Sequence, residues 1–142
     1  MSVKEIIIDQ EFLSQKCLKT SSTQESIIIR DLLDTANEHK EKCAGLAANQ
    51  IGYKATIFII KVNDDDFKVI INPHNIMGLG GIKSGYEGCL SRPDEKPIKK
   101  RRFKQVRASY FNSDGEFITE IFKGFDARIF QHENDHLKGI LI

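Results

Sequence analysis

The chain has 142 residues, 40% of them hydrophobic and 29% charged, an ordinary globular composition that excludes a disordered or fibrous protein. At this length one core buries most of the apolar surface, while two separate domains would each sit near the lower limit for unaided folding, so a single domain over residues 1–142 is expected. Lys+Arg 21 against Asp+Glu 20 leaves a net charge of +1, too little for a whole-molecule field that draws the chain to nucleic acid or an anionic membrane.

The apolar stretch 55–60 is interrupted by Thr56 and falls far short of the roughly 20 residues needed to span a bilayer. The start of the chain offers only Ile6, Ile7 and Ile8 among acidic residues, with no small-residue cleavage site, so no signal peptide and a cytoplasmic location are expected. Cys17, Cys43 and Cys89 are odd in number and far apart, which suits thiols in a reducing compartment better than a disulfide framework.

In chain order, residues 24–42 carry Ile28, Leu32 and Ala36 at four-residue steps with Ile29 and Leu33 beside them, the stripe of an amphipathic helix. Residues 43–52 fit neither helical nor strand period. Residues 56–62 and 67–72 are β-rich runs around the polar turn Asn63-Asp64-Asp65-Asp66, which predicts an antiparallel hairpin. Residues 78–91, again containing glycine, read as a second irregular segment where backbone approaches something closely. Residues 106–111 and 116–122 flank Asn112-Ser113-Asp114-Gly115 and form a second predicted hairpin. Helical spacing returns over 125–137, with Gly139 where a helix stops. The expected class is α+β: a mainly antiparallel sheet packed around a late helix, with an amphipathic helix near the N-terminus.

That late helix contains Gln131-His132-Glu133-Asn134-Asp135-His136, an HExxH sequence. Side chains four residues apart project from one side of a helix, so His132 and His136 can converge on one metal ion with Glu133 facing its water. A catalytic centre of this kind needs a third protein ligand and an open position. Only six residues follow His136, so the third ligand is sought upstream, where Glu87-Gly88-Cys89-Leu90-Ser91 offers the Cys89 thiol. The competing role for Cys89 is that of a small buried hydrophobe. Phe125 and Ile129 precede His132 by seven and three residues and so share its face, suited to lining an apolar pocket or to packing in the core.

Three blocks now stand in order: Cys43-Ala44-Gly45-Leu46-Ala47-Ala48-Asn49-Gln50 followed by Ile51-Gly52, then Glu87-Gly88-Cys89-Leu90-Ser91, then Gln131 to Gly139. In this the sequence resembles the peptide deformylase family, whose corresponding patterns are GxGLAAxQ, EGCLS and QHExDHLxG; Arg102, Val106, Asp114 and Gly115 also fall where the family has an Arg, a strand and a turn. The resemblance implies removal of the formyl group from N-formylmethionyl peptides of nascent chains, with release of formate. It implies one divalent metal held by Cys89, His132 and His136, natively Fe2+, with Zn2+, Ni2+ or Co2+ possible in the isolated protein. Glu133 is then the general base that takes a proton from the attacking water and returns it to the departing amine. The side-chain amide of Gln50 and the backbone N–H of Leu90 serve the oxyanion. Gly45 and Leu46 pair with the extended peptide, Phe125 and Ile129 receive the methionine side chain, and Glu87 and Asp135 orient the ligands.

Three departures from the family pattern bear on activity. Cys43 replaces a glycine, which narrows the substrate groove or alters a turn. Lys96 stands where many members hold the peptide with an Arg, and an ammonium does not reproduce that residue's planar fork. The chain also ends without the C-terminal helix that in many members contributes to ribosome association, leaving at most a weak one. Residues 96–107 hold seven Lys or Arg, but with charge balanced overall and no aromatic platform beside them the stretch reads as a solvated face, and no specific nucleic acid and no membrane partner are expected. Two other functions remain open: a deformylase-like metal-binding protein with an altered ligand or regulatory role, and a zinc endopeptidase built on HExxH, which the upstream cysteine and EGCLS disfavour.

Overall fold

A computed structural model describes residues 3–19, 22–62 and 66–142. A short helix α1 (Gln10–Leu13) is opened by the Asp9 side chain accepting from the Glu11 N–H at 3.0 Å, and is followed by the long helix α2 (Ser22–Glu38). Then come β1 (Gly45–Ala47), a 3-10 turn (Ala48–Ile51), β2 (Ile57–Lys61), β3 (Phe67–Glu87), β4 (Ile98–Phe111), β5 (Phe117–Lys123) and helix α3 (Gly124–Leu137). The strands form one sheet in the order β1-β2-β3-β4-β5, antiparallel throughout, so each strand pairs with its neighbour in sequence. Among the described residues no helix is long and apolar enough to cross a membrane.

Alternation along β1, β2 and β3 sends successive side chains to opposite faces of the sheet. Leu46, Ile57, Ile59, Val69 and Ile71 pack with Ile28, Leu32 and Ala36 of α2. Their neighbours Ala47, Phe58, Ile60 and Ile70 pack with Ala127, Phe130 and Leu137 of α3. Phe130 sits edge-on to Phe58 at 5.2 Å and tilted against Phe122 at 4.7 Å, so α3 is held at a definite rotation about its axis. Its C-terminal end is tied down where the Cys17 N–H donates to the Leu137 carbonyl at 2.8 Å. Gly139 has a φ of +77° and its Cα lies against the Ser14 carbonyl, where a side chain would collide.

The structure corrects several boundaries. α2 ends at Glu38 instead of 42, with residues 39–42 in turns bonded back to it. Residues 78–87, expected to be irregular, belong to the 21-residue strand β3, and β4 begins at Ile98, eight residues before its predicted start. The period-2 signal was broken there because the β3–β4 register shifts between Ile71 and His74, His74 and Met77, and Leu79 and Ile82, with Asn72, Asn75, Gly80 and Gly81 at positive φ. Most of the turn at 63–66 lies outside the described residues; the Val62 N–H donates across it to the Asp66 carbonyl at 3.0 Å. At the second hairpin, Asn112 Oδ1 accepts from Asp114 and Glu116 N–H groups and Gly115 takes a φ of +79°.

Candidate metal centre

Three segments converge at one end of the sheet. β3 ends at Glu87, and Gly88 releases the chain into a turn closed by the Arg92 N–H donating to the Cys89 carbonyl at 2.9 Å. Helix α3 brings His132 and His136 one turn apart, with ring centroids at 5.1 Å, and both rings are buried. The 3-10 turn after β1 supplies Gln50, whose Oε1 accepts from the Ala47 N–H at 3.0 Å while its Nε2 donates to Ser91 Oγ at 3.1 Å and lies 3.5 Å from Cys89 Sγ. One ligand atom each from Cys89, His132 and His136 lie within 4.8 Å of one another, and Cys89 Sγ is 3.4 Å from His136 Nε2.

A tetrahedral ion with bonds of about 2.0–2.3 Å holds its donors about 3.5 Å apart, so side-chain adjustment alone closes this set around a cation. A thiolate with two imidazoles suits Fe2+, Zn2+, Ni2+ or Co2+ and not Mg2+ or Ca2+. The buried Glu133 Oε1 beside the site has no protein partner among the described residues, as expected of a carboxylate whose partner is a water or a substrate atom. The residues present therefore fit a divalent metal.

Glu87 supports this set. Its Oε1 accepts from His132 Nδ1 at 3.0 Å and from Arg102 Nη2 at 2.9 Å; its Oε2 accepts from Arg102 Nε at 2.9 Å and Arg128 Nη1 at 2.7 Å. Arg102 also reaches Asp135 Oδ2 at 2.5 Å. Arg128 passes close over Gly85, where a Cβ would stand 2.9 Å from its guanidinium carbon, and donates to the Lys83 and Lys100 carbonyls. With its Nδ1–H committed to Glu87, His132 turns Nε2 toward Cys89 as its ligand atom. Asn49 Nδ2 donates to the His136 carbonyl at 2.8 Å and so links the 3-10 turn to α3.

The charges are tuned by burial and by these partners. Burial opposes ionisation of Glu87, but hydrogen bonds from His132 and Arg102 outweigh it and hold the carboxyl well below the ordinary range. Burial alone would depress His132, yet hydrogen bonds to Cys89 and Glu87 raise it to about 10. His136 is pushed down to about 3 by burial and by the positive charges of His132 and Arg102. Burial raises Glu133 to about 7, against the opposing charge of His132, which places a proton acceptor near neutrality.

The site forms the base of a cleft of about 880 Å3 lined by Gly45, Gln50, Cys89, Leu90, His132 and Glu133, with Phe125 and Ile129 along one wall. A Cβ on Gly45 would lie 2.7 Å from Glu133 Oε2 and 2.8 Å from Ile129 Cγ2, so only glycine lets β1 pass this close. Leu46 does not line the cleft; its side chain is buried on the α2 face, because alternation along β1 turns it away from Gly45. Lys96 also lies outside the lining and is exposed, whereas Arg92, ion-paired with Glu95, lines the rim. Cys43 does not narrow the groove: it is buried in the α2-side core with Sγ 3.3 Å from the Gly45 carbonyl. Sequence reasoning passed over Arg128, Asn49 and Ser91 as site-supporting residues. For Arg128 the one available signal was its position four residues before His132, on the same helical face.

A family model described as "Polypeptide deformylase" matches residues 3–142. A protein named peptide deformylase from Aquifex aeolicus is 37% identical, over 97% of this chain and 84% of its own. Another of that name from Clostridium beijerinckii is 34% identical over 99% of both. Among solved structures, class I type b peptide deformylase from Acinetobacter baumannii with Met-Ala-Ser bound superposes with a TM-score of 0.88 at 29% identity, covering 99% of this chain and 97% of that one. That solved structure matches this architecture of a five-stranded antiparallel sheet with a C-terminal helix. The chain belongs to the polypeptide deformylase family, a family of enzymes.

Proposed function

We propose that residues 1–142 work as one domain that hydrolyses the formyl group from N-formylmethionyl peptides of nascent chains in the cytoplasm, releasing formate. The observation that carries this reading is the meeting of Cys89, His132 and His136 with Glu133 and Gln50 at the base of a cleft with an apolar wall. Cys89, His132 and His136 would hold one divalent metal, natively Fe2+, with Zn2+, Ni2+ or Co2+ as substitutes. Such a cation supplies Lewis acidity and makes water acidic enough to lose a proton near neutral pH. Glu133 accepts that proton as water attacks the formyl carbon. The Gln50 amide and the Leu90 N–H donate to the oxyanion as it develops. Glu133 then passes its proton to the peptide nitrogen as the C–N bond breaks, leaving formate and a free amine. The Gly45 backbone pairs with the extended substrate, and Phe125 and Ile129 cover the methionine side chain.

The test is formate release from formyl-Met-Ala-Ser by anaerobically prepared, Fe2+-loaded protein, with formyl-norleucine and formyl-Asp peptides alongside. An apolar wall gains roughly 0.8 kcal/mol per buried CH2, so the methionine and norleucine peptides should turn over similarly and the aspartate peptide far more slowly. Absence of formate release from the metal-loaded protein would overturn the reading.

A further inference from the structure

A second groove, of about 980 Å3, runs beside the first between the distal part of the β3–β4 ladder and the start of α3. Its lining contains Lys83, Lys104, Lys123 and Arg128 and no carboxylate; the nearby Asp126 on α3 lies outside it. Arg128 is neutralised by Glu87, so in a chain with 21 cations and 20 anions the local excess is the three lysines. Lys83, Lys104 and Lys123 make no ion pair among the described residues, so their charges face solvent unneutralised. Exposed aromatic rings stand among them: Phe103 is 44% exposed and belongs to this groove and not to the first cleft, while Tyr86 at 71% and Phe125 at 62% stand on the ridge that borders both. Beyond the groove, Lys99 and Arg101 of β4 pair with Tyr86 and Ser84 on one face of the ladder, and Lys100 pairs with Gly85 on the other. Helix α3 also begins at this groove, with no side chain capping its first N–H groups.

We propose that this groove binds single-stranded RNA without sequence preference. Cations spaced along a channel track a phosphate backbone, and exposed rings between them offer stacking faces that any base can use. Lysines and rings together would also suit an acidic peptide, so displacement by a polyglutamate peptide is the outcome that separates the two. In sequence the rings are scattered across residues 86, 103 and 125, so the basic stretch there shows no platform. The β3–β4 pairing and the start of α3 assemble one.

The experiment is fluorescence anisotropy of a labelled oligouridylate with the full, metal-loaded chain over a salt series. Micromolar binding at low salt is expected, with log K falling against log salt at a slope of about −2, from about 0.7 per contacted phosphate on a single strand. Lys104→Glu/Lys123→Glu should weaken binding about tenfold or more and flatten that slope. Phe103→Leu, which keeps the apolar bulk but removes the ring, should weaken it about fivefold with the slope unchanged. Formyl-peptide hydrolysis by the double variant should match the parent, since neither lysine lines the catalytic cleft; if it does not, Lys104→Gln/Lys123→Gln replaces it. No binding at low salt, a folded double variant that binds as the parent does, or equal displacement of the RNA by a polyglutamate peptide would each overturn the proposal.

Discussion

The face of the sheet toward α2 and the face toward α3 are built from the same strands by the same alternation, yet only one carries chemistry. Toward α2 the contacts are almost wholly aliphatic, with Ile28, Leu32 and Ala36 against Leu46, Ile57 and Ile59. Toward α3 the core is aromatic, with Phe58 and Phe122 packed against Phe130 of the helix that also carries His132, Glu133 and His136. Aromatic packing fixes the helix against the sheet, and the four hydrogen bonds to Glu87 then make charge tolerable beside that core. At Glu87 the buried charge is sustained because each of its oxygens has two partners, whereas the buried Glu133 Oε1 is left open toward the cleft.

The contrast is broken most strongly at Glu133. Glu133→Gln keeps the shape of the side chain but cannot accept a proton, so kcat should fall about a hundredfold or more while metal content by elemental analysis stays at the parent's level. Retained turnover would remove the general-base role. On the other face, Leu32→Ala should cost about 2–5 kcal/mol in urea unfolding and leave kcat of the folded protein unchanged. A large loss of kcat there would mean that the two faces are not separable.

Smaller effects sharpen the comparison. Arg128→Met removes one of the two cations on Glu87 and should weaken Co2+ binding about tenfold in a chelator competition; Arg128→Lys should recover part of it. Unchanged affinity in both would show that Arg102 alone holds Glu87. The thiols should differ least in energy but plainly in reactivity. Burial raises Cys17 to about 11, and burial followed by the nearby Glu133 charge raises Cys43 to about 12. Near pH 8, iodoacetamide should therefore label Cys89 of the metal-free protein and spare the other two until unfolding. Between pH 9 and about 11 the unfolded chain loses thiol protons that the folded chain keeps, so this contribution makes stability fall as pH rises; a rise in urea midpoint across that window would contradict the assignment.

The α2 stripe was legible because Ile28, Leu32 and Ala36 repeat at the helical period, and the turn at 112–115 because Asn, Asp and Gly mark it. β3 was not legible beyond residue 72, since its bulges break the alternation that identifies a strand. Within the cleft, the spacing rule puts Phe125 and Ile129 on the His132 side of α3, where both line the wall, and alternation along β1 turns the Leu46 side chain into the core, so that only its backbone is left for the peptide pairing expected of Gly45 and Leu46. Lys96 takes its expected role from its position in the family pattern, and in the structure the cation that the turn after Cys89 brings to the cleft is Arg92.

By itself the sequence determined what local geometry controls: His132, Glu133 and His136 on one helix, a glycine at 45, turns at 112–115 and an amphipathic α2. A helix repeats every 3.6 residues whatever surrounds it, so four-residue spacing already says which side chains share a side. Only the tertiary structure decided what depends on pairing between distant segments. Cys89 meets a histidine 47 residues away, Glu87 bonds Arg102 across the β3–β4 ladder and Arg128 from α3, and Tyr86, Phe103 and Phe125 gather around one basic groove. Those meetings follow from the register of β3 on β4 and the rotation of α3 on the sheet, which are set by packing across the whole core and have no local signature.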